Sequence, residues 1–309
     1  MKLSNANYLN HIQRAVVGFS GGADSTALLH YLKYNTNIKL TAVHVNHQLQ
    51  PNSIEWEMHC RDFCKEHDIS SATIKVVIEG DSNVEEKARN KRFEVFKSFH
   101  TTDLFLGHHA DDQNETFLLK MMRGSGVRGL KCMEEVSKNN ELAIHRPLLN
   151  ISKSDILAYC VQHNLSFVQD SSNESLDFDR NVIRNKVFPV IQEFFPNFSK
   201  AWGKSFAALQ DANECLNDLA WADYVAVLDD GRISIAKIRK LNLSPARIRN
   251  MLQNHLNSLN FSTSFQELTT FSERVLSVGY DRNLELSLKD ATKGKLRQKG
   301  KILELIIEE

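Results

Sequence analysis

The sequence predicts an α/β fold, in which a parallel sheet forms a larger N-terminal domain and a smaller α+β domain follows it. Short apolar runs alternate with longer amphipathic segments through the first half of the chain, as is typical of β-α-β units. The length of 309 residues favours two domains, because one domain usually takes about 100–200 residues. We therefore predict domains at residues 1–220, including a helical linker from about residue 190, and at residues 221–309.

Four buried strands are predicted in the first half, and each leads into a helix. The predicted strands are Ala15–Phe19, Leu40–Val45, Ala72–Ile78 and Asp103–Gly107. The predicted helices are Ser25–Lys33, Ser53–His67, Val84–Phe99 and Asp111–Met122. Because ligands of open parallel sheets bind beyond the carboxyl ends of the strands, we expect the functional site in the segments that follow these strands.

The pattern is less regular in the rest of the chain. Gly, Lys, Ser and Asn dominate Gly124–Asn140, which we predict to be a loop. Further predicted elements are helices at Lys153–His163, within Ile191–Ala220 and at Ala246–Leu259, where Pro245 marks the start, and strands at Tyr224–Leu228 and Ile233–Ala236.

Charge and cysteine usage limit the class of protein. The 38 basic and 38 acidic side chains balance, so global charge gives no sign of a nucleic-acid partner, although a local patch remains open. Cys60 and Cys64 would share one helix face, for which core packing is a better explanation than a metal or redox site. No apolar run approaches the roughly 18–20 residues of a membrane span. We expect a cytoplasmic protein with no membrane partner.

The loop Ser20–Ser25, between the first strand and its helix, has the features of a phosphate site. Its backbone N–H groups can form an anion-binding nest at the helix N-terminus, and Gly21 and Gly22 let the backbone approach a phosphate. An ordinary glycine turn with a helix cap is the structural alternative. The loop carries no lysine, so a metal and arginines from elsewhere must neutralise the phosphates. Asp24 is placed to hold that metal, which we expect to be Mg²⁺.

The pattern Ser-Gly-Gly-x-Asp-Ser resembles the pyrophosphate loop of the N-type ATP pyrophosphatases. This resemblance implies a Rossmann-like, adenine-nucleotide α-hydrolase-like domain that uses ATP and Mg²⁺. Enzymes of this class adenylate a carbonyl oxygen and let a nitrogen or sulfur nucleophile displace AMP. The implied ATP-binding residues are Ser20, Gly21, Gly22, Ala23, Asp24 and Ser25, with the adenine near Ala42 and His44.

Further motifs narrow the resemblance, which covers roughly residues 15–189, to one member of that class. The motif segments are Glu85–Phe93, Gly107–Thr116 with Arg123–Gly126, Arg146–Leu149, Asp170–Asn173, and Arg180-Asn181 followed by Arg184. Together they are similar to the motifs of the bacterial tRNA(Ile)-lysidine synthetases. Many relatives carry one more C-terminal domain, which we do not expect within these 309 residues; a naturally short form and a shortened sequence are the two alternatives.

The residue types in these motifs suit adenylation chemistry. His108 and Asp112 are four apart, so at a helix start they are expected to face the same way. Asp112 would join Asp24 on Mg²⁺, while His108 would stabilise charge or relay a proton. Arg89 would neutralise phosphate. The structural alternatives are a helix-start hydrogen bond for the His–Asp pair and a solvated helix face for Arg89.

The resemblance implies a ligase with one macromolecular partner, a tRNA, and one small-molecule partner, L-lysine. It would join free L-lysine to C2 of the wobble cytidine of a tRNA(Ile) with a CAU anticodon through an adenylated cytidine, giving lysidine, AMP and pyrophosphate. Arg123, Arg128, Arg180 and Arg184 are candidates for tRNA or nucleotide contacts, and the C-terminal domain for tRNA recognition. Acidic candidates for the lysine pocket include Glu115 and Asp170. The oligomeric state is left open, with a homodimer among the alternatives.

Other functions remain as alternatives. A tRNA thiolation enzyme acting on cytidine would need cysteine pairs for an iron–sulfur cluster, and no Cys-x-x-Cys occurs here. A metabolite-amidating synthetase and a catalytically silent tRNA-binding module are the others. Basic residues at every second position from Lys293 to Lys301 would share one strand face, either as a phosphate-binding row or as a solvated edge strand.

Overall fold

A six-stranded sheet forms the centre of the first of two units in the computed structural model. The structure describes residues 6–48, 52–80, 84–139, 142–169, 179–288 and 294–307. Its two units are Met1–Ala207 and Ala208–Glu309. The Asp170–Asn173 motif and Lys293 lie outside the described residues. Among the helices of the described ranges, none is both long and apolar enough to cross a membrane.

The sheet of the first unit is parallel except for one edge strand. Its strands, in chain order, are β1 (Arg14–Gly18), β2 (Lys39–Asn46), β3 (Ser70–Lys75), β4 (Asp103–Phe105), β5 (Val136–Asn139) and β6 (Leu142–His145). The spatial order is β3-β2-β1-β4-β6-β5, and only β5 runs antiparallel to its neighbour. The order reverses between β1 and β4, which is where open α/β sheets bind ligands.

Helices connect the strands and continue beyond the sheet. They are α1 (Ala23–Asn35), α2 (Ser53–Glu66), α3 (Val84–Ser98), α4 (Ala110–Met122), α5 (Val127–Leu130), α6 (Lys153–Gln162), α7 (Asp179–Val182), a π-helix (Ile183–Val187), α8 (Phe188–Phe194) and α9 (Phe198–Val227). A 3-10 helix at Ala6–His11 precedes β1. The predicted alternation of strand and helix through the first half is thus confirmed, with shifted ends.

Burial follows the apolar runs from which the strands were predicted. Val17 and Phe105 are fully buried neighbours on β1 and β4, and Leu28 of α1 is equally buried in the same core. Cys60 and Cys64 of α2 belong to this core as free thiols, which confirms their predicted packing role. Burial raises the pKa of Cys60 to about 12 and that of Cys64 to about 11.

The predicted loop Gly124–Asn140 is the main error in the first unit. It contains α5 and β5, and β6 follows it, although neither strand was predicted. The residues of β5 are mostly polar because the strand lies at an edge of the sheet. A polar edge strand has no apolar run that would distinguish it from a loop.

The second unit contains a five-stranded antiparallel sheet. Its strands are β7 (Leu228–Asp229), β8 (Arg232–Ser234), β9 (Glu285–Leu288), β10 (Gly294–Lys299) and β11 (Ile302–Ile307), in the order β7-β8-β11-β10-β9. Its helices are α10 (Ile235–Lys240), α11 (Pro245–Ser258) and α12 (Phe265–Ser277). The predicted start of α11 at Pro245 is confirmed, with the Ser244 side chain as its cap.

Two C-terminal predictions are wrong. Tyr224–Leu228 is not a strand, because α9 continues to Val227, whose buried side chain joins the core of this unit. The edge-strand interpretation of the basic row also fails, because β10 pairs with β9 on one side and β11 on the other. Arg297 and Lys299 instead approach Glu285 and Glu304 on those neighbouring strands.

Candidate active site at the switch point of the sheet

The loop Ser20–Ser25 leaves the end of β1 and folds back on itself. The Ser20 and Ser25 hydroxyls lie 3.1 Å apart, and the backbone N–H of Gly22 points to the Ser20 hydroxyl at 3.3 Å. Gly21 has a φ of +82°, and a Cβ there would lie 2.9 Å from the Cys60 sulfur. Only glycine meets both conditions without strain, which is the physical reason for that residue type here.

The first turn of α1 presents its N-terminus at this loop. Its N-cap is Gly22, which has no side chain with which to cap the helix. Gly107, just after β4, packs directly against the turn: a Cβ at Gly107 would lie 3.1 Å from the backbone nitrogen of Ser25. The two sequence motifs therefore meet backbone to backbone. The positive end of the α1 dipole at this position favours a bound anion.

Two carboxylates from different motifs converge on the His109 ring. Nε2 of His109 lies 3.6 Å from Oδ1 of Asp24 and 3.5 Å from Oδ2 of Asp112. The ring is buried, whereas the two carboxylates are partly exposed. The structure thus brings together Asp24 and Asp112, the residues predicted to share a metal ion, and adds His109, which sequence reasoning did not single out.

The start of α4 explains why His109 rather than His108 makes these contacts. The helix begins at Ala110 with His109 as an extended N-cap. The backbone N–H of His109 donates to Oδ2 of Asp112 at 3.0 Å, and Nδ1 of His109 accepts from the N–H of Asp111 at 3.2 Å. Because His108 precedes the helix, the i,i+4 argument for His108 and Asp112 does not apply to it.

His108 lies partly buried beside the same carboxylate. Desolvation lowers the pKa of His108 from 6.5 to about 4; Asp112 opposes this shift, while Arg146, Arg89 and Arg180 add to it. Its Nδ1 is buried without a hydrogen-bond partner in the described structure. His108 is therefore a neutral imidazole at neutral pH, with one ring nitrogen able to bind another group.

A buried glutamate lies one helical turn beyond Asp112. Glu115 is fully buried, and its Oε1 accepts a hydrogen bond of 2.7 Å from Nε of Arg184. Arg184 also brings Nη2 within 3.7 Å of Oδ1 of Asp112. Burial raises the pKa of Glu115 even though Arg184 opposes the shift. The pairing was not predicted, since Arg184 was named for tRNA and Glu115 only as an acidic candidate for the lysine pocket.

Other cationic residues surround the His108 side of the site. Arg89 is exposed on α3, with its guanidinium carbon 5.4 Å from the centre of the Phe93 ring. Arg146 is buried and donates to the Glu134 carbonyl and the Ser137 hydroxyl, each at 2.9 Å. Burial lowers the pKa of Arg146 to about 10, and Arg89 adds to the shift.

The remaining predicted nucleic-acid contacts differ in their surroundings. Arg123 is exposed and forms an ion pair of 3.1 Å with Asp179. Arg128 is partly buried on α5, and this burial lowers its pKa. Arg180 is close enough to His108 and Glu115 to influence the pKa of both side chains. Arg180 and Arg184 therefore lie nearer the site than Arg123 does.

The residues predicted near adenine lie on β2. Ala42 is buried in β2, where it pairs with β1 on one side and β3 on the other. His44 is buried with Nδ1 3.0 Å from the carbonyl oxygen of Phe19, just before the phosphate loop. Burial lowers the pKa of His44. The His44 ring therefore contacts the backbone that leads into the loop.

Asp24 and Asp112 have the chemistry that Mg²⁺ requires. Within the described ranges, no group of three or more His, Cys, Asp and Glu side chains is arranged to hold a metal ion. Mg²⁺, however, is usually bound through one or two carboxylates together with substrate phosphates and water. Two carboxylates beside a phosphate loop fit that mode, whereas they would not form an all-protein cage.

Lys153 is a further residue of the site that sequence reasoning missed. Its Nζ donates to Oδ1 of Asp24 at 2.6 Å. Its backbone N–H lies 3.2 Å from Oδ2 of Asp111, in the first turn of α4. No motif in the sequence signals this lysine, because only the fold brings the start of α6 to the phosphate loop.

Comparisons with known proteins agree with this geometry. The tRNA(Ile)-lysidine synthase of Nitrosomonas europaea is 36% identical over 248 residues, which cover 78% of this chain and 54% of that protein. The tRNA(Ile)-lysidine synthase of Francisella tularensis subsp. holarctica is 33% identical over 253 residues, covering 78% of this chain and 63% of the relative. The chain thus spans between about half and two thirds of the length of these relatives.

A solved structure and a family match complete the comparison. The tRNA thiolase NcsA from Methanococcus maripaludis, solved with its iron–sulfur cluster, matches with a TM-score of 0.57 and covers 68% of this chain and 76% of its own. At 16% identity it shows a similar fold only. The family described as the PP-loop domain matches residues 2–191, which include the sheet, the Ser20–Ser25 loop and the start of α4. The chain belongs to the PP-loop domain family.

Proposed function

We infer that the protein joins L-lysine to C2 of the wobble cytidine of tRNA(Ile) with a CAU anticodon, consuming ATP. The observation that carries this proposal is the convergence of Asp24 and Asp112 on His109, beside the phosphate loop at the switch point of the sheet. The similarity to curated tRNA(Ile)-lysidine synthases supports the choice of substrates. The products are lysidine, AMP and pyrophosphate.

The first step is adenylation of the cytidine. The C2 oxygen attacks the α-phosphorus of ATP, the bond between the α-phosphorus and the bridging oxygen breaks, and pyrophosphate leaves. The Ser20–Ser25 loop and the α1 N-terminus hold the phosphates, while Ala42 and His44 lie on the strand proposed to flank the adenine. Asp24 and Asp112 would hold Mg²⁺, which would supply positive charge for the leaving group. Arg89 is the proposed cationic contact for the phosphates from α3.

The second step is attack of the lysine side-chain amine on C2, which releases AMP. The amine must lose its proton to become a nucleophile. His108 is the proposed acceptor or relay, because its imidazole is neutral at neutral pH and its buried Nδ1 has no hydrogen-bond partner in the described structure. Arg146, Arg89 and Arg180 disfavour a charged His108, which returns the proton readily.

Glu115 is the proposed partner for an ammonium group of lysine. One of its oxygens, Oε1, is bonded to Arg184, and the other, Oε2, is buried without a partner in the described structure. A buried carboxylate oxygen of this kind costs free energy until a donor reaches it. Asp170, the other acidic candidate, lies outside the described residues.

The division of labour between domains is also proposed from the sequence. Residues 1–220 would carry the chemistry, and residues 221–309 would contribute to tRNA recognition. Arg180 and Arg184 are proposed to contact the part of the tRNA nearest the site. Arg123 and Arg128 are proposed to contact tRNA phosphates further from it. Loss of one such phosphate contact reduces the salt dependence of tRNA binding by about 0.7 to 0.9 in the log–log slope.

An assay of AMP release tests the proposal. AMP is measured with ATP, Mg²⁺ and a tRNA(Ile) transcript, with and without L-lysine. We expect release that requires both tRNA and lysine, and we expect Asp24→Ala and Asp112→Ala to abolish it. Asp62→Ala is the matched control, because that carboxylate is exposed on α2. Release that ignores lysine, or near-normal turnover of either site variant, would contradict the proposal.

Thiolation of a tRNA base is the rival function, and the cysteines argue against it. An iron–sulfur cluster needs several thiolates on one centre. Cys60, Cys64, Cys132 and Cys160 are buried, and Cys215 is exposed and in the other unit. Burial keeps Cys60, Cys64, Cys132 and Cys160 as thiols by raising the pKa of each. Stoichiometric iron bound to the purified protein would support tRNA thiolation instead.

A further inference from the structure

The phosphate loop carries no lysine in sequence, yet a lysine reaches it through the fold. Nζ of Lys153 lies 2.6 Å from Oδ1 of Asp24, and the two side chains are 38% and 29% exposed. The pair is therefore accessible to a ligand. We propose that Lys153 binds the β- and γ-phosphates of ATP, the part of the molecule that leaves as pyrophosphate. This inference rests on the proposed function of the Ser20–Ser25 loop.

The backbone around Lys153 is fixed to both motifs of the site. Lys153 is the first residue of α6, and the Ser152 side chain caps that helix. Its N–H contacts Asp111, and the N–H of Ala110 donates to the Ile151 carbonyl at 3.0 Å. The start of α6 is thereby tied to the start of α4. The ammonium group needs only rotation about its own stem to move from Asp24 to a neighbouring phosphate oxygen.

Electrostatics gives a reason for that movement. In the described structure Lys153 balances the Asp24 carboxylate, with His109 further away. A divalent cation on Asp24 repels an ammonium on the same oxygen. The phosphates that arrive with the cation offer the displaced ammonium a new anionic partner at short range. Lys153 thus neutralises the Asp24 carboxylate before ATP binds and contacts the leaving pyrophosphate afterwards.

A purely structural role for the pair is the competing explanation. Helices α1 and α6 already pack through buried apolar groups, among them Leu28 and Ile156. The thiol of Cys160 also approaches the Ala23 carbonyl at 3.6 Å. An ion pair as exposed as Lys153 and Asp24 adds little to such packing. A lysine that only joined helices would affect every ligand of the site alike.

Calorimetric titration with three ligands separates the two roles. Lys153→Gln is compared with wild type for binding of Mg·ATP, Mg·pyrophosphate and AMP. We expect a loss of about ten- to a hundredfold in affinity for ATP and pyrophosphate, the worth of one charge-assisted hydrogen bond. AMP, which lacks the β- and γ-phosphates, should bind with unchanged affinity. Lys153→Arg should retain most of the ATP affinity because it keeps the charge.

The control is Lys33→Gln, which removes another α1-associated lysine whose Nζ donates to the Asp68 carbonyl at 2.6 Å. It should leave all three affinities unchanged. An equal loss for AMP, or no loss for ATP in Lys153→Gln, would overturn the inference. If Lys153→Gln does not fold, Lys153→Met, which keeps the apolar stem, replaces it. Wild-type protein that fails to bind ATP would instead refute the proposed function itself.

Discussion

Arg184 donates from Nε to Oε1 of Glu115 across 2.7 Å, and the glutamate that it meets is fully buried. The arginine lies in the π-helix Ile183–Val187, a wider turn of the kind that recurs at functional sites. The glutamate lies in α4, one turn from Asp112. The ion pair therefore ties the π-helix to α4, the helix that carries the predicted metal ligand Asp112.

Replacing Arg184 with methionine should destabilise the first unit. The substitution leaves a buried carboxylate without its cationic partner, and breaking a buried pair in this way costs about 3–5 kcal/mol. Because the Arg184 side chain is 39% exposed, we expect a smaller loss, about 2 kcal/mol in the free energy of unfolding. Urea denaturation followed by tryptophan fluorescence measures it, in a Trp221→Phe background that leaves only Trp56 and Trp202 of the first unit.

Arg123→Met is the matched control for that experiment. Arg123 pairs with Asp179 at 3.1 Å, but the two side chains are 69% and 74% exposed. Such surface pairs contribute at most about 1 kcal/mol. A loss as large for Arg123→Met as for Arg184→Met would show that burial of Glu115 is not the cause.

The defect of Arg184→Met should depend on pH. Burial raises the pKa of Glu115 above its ordinary 4.5 while Arg184 holds the pKa down, so removing Arg184 raises it further. An acid with a raised folded-state pKa stabilises the fold below the unfolded pKa, and that stability is lost as pH rises. The difference between variant and wild type should therefore be small near pH 4 and grow towards pH 7. A difference that shrinks over this range contradicts the assignment.

Gly107→Ala should weaken ATP binding more than it weakens the fold. The added Cβ would lie 3.1 Å from the Asp24 carbonyl carbon and the Ser25 nitrogen, so the loop must move by a few tenths of an ångström. Displacing phosphate-binding N–H groups costs hydrogen bonds to charge, about 1.5–3 kcal/mol in binding. Titration of ATP measures this loss. Gly126→Ala is the control, since no atom lies within 4 Å of its added Cβ; equal effects would refute the argument.

The sequence was informative where apolar runs and motifs coincide. The strand ending at Gly18 and the strand beginning at Asp103 were predictable because their buried residues are consecutive. The loop Ser20–Ser25 was predictable because its glycine and hydroxyl residues stand at fixed spacings within one short segment. The polar strand Val136–Asn139 and the continuation of α9 to Val227 were not, because edge position and burial in a distant core leave no local pattern.

The site shows the same division between local and long-range causes. Spacing suggested that His108 and Asp112 share a helix face, but the helix begins at Ala110 and His109 caps it instead. Spacing rules assume helical geometry, which an N-cap residue does not have. The contact of Lys153 with Asp24 joins distant parts of the chain, so only the fold reveals it.

His108 should titrate far below an ordinary histidine, and its titration should affect stability in a defined direction. Desolvation lowers its pKa from 6.5 to about 4. A base with a lowered folded-state pKa contributes stability above the unfolded pKa, and this contribution is lost as pH falls from 6.5 towards 4. NMR of the histidine rings should give a midpoint near 4, assigned by the signal missing in His108→Gln.

The same variant tests whether titration of His108 changes the free energy of unfolding. Between pH 6.5 and pH 5 the wild type should lose about 1–2 kcal/mol more unfolding free energy than His108→Gln, because one pH unit corresponds to about 1.4 kcal/mol per proton. Phe is avoided as the replacement, since it would add apolar volume beside Asp112. A His108 midpoint near 6.5, or identical pH dependence of the two proteins, would mean that burial does not desolvate the His108 ring and would contradict its placement beside Asp112.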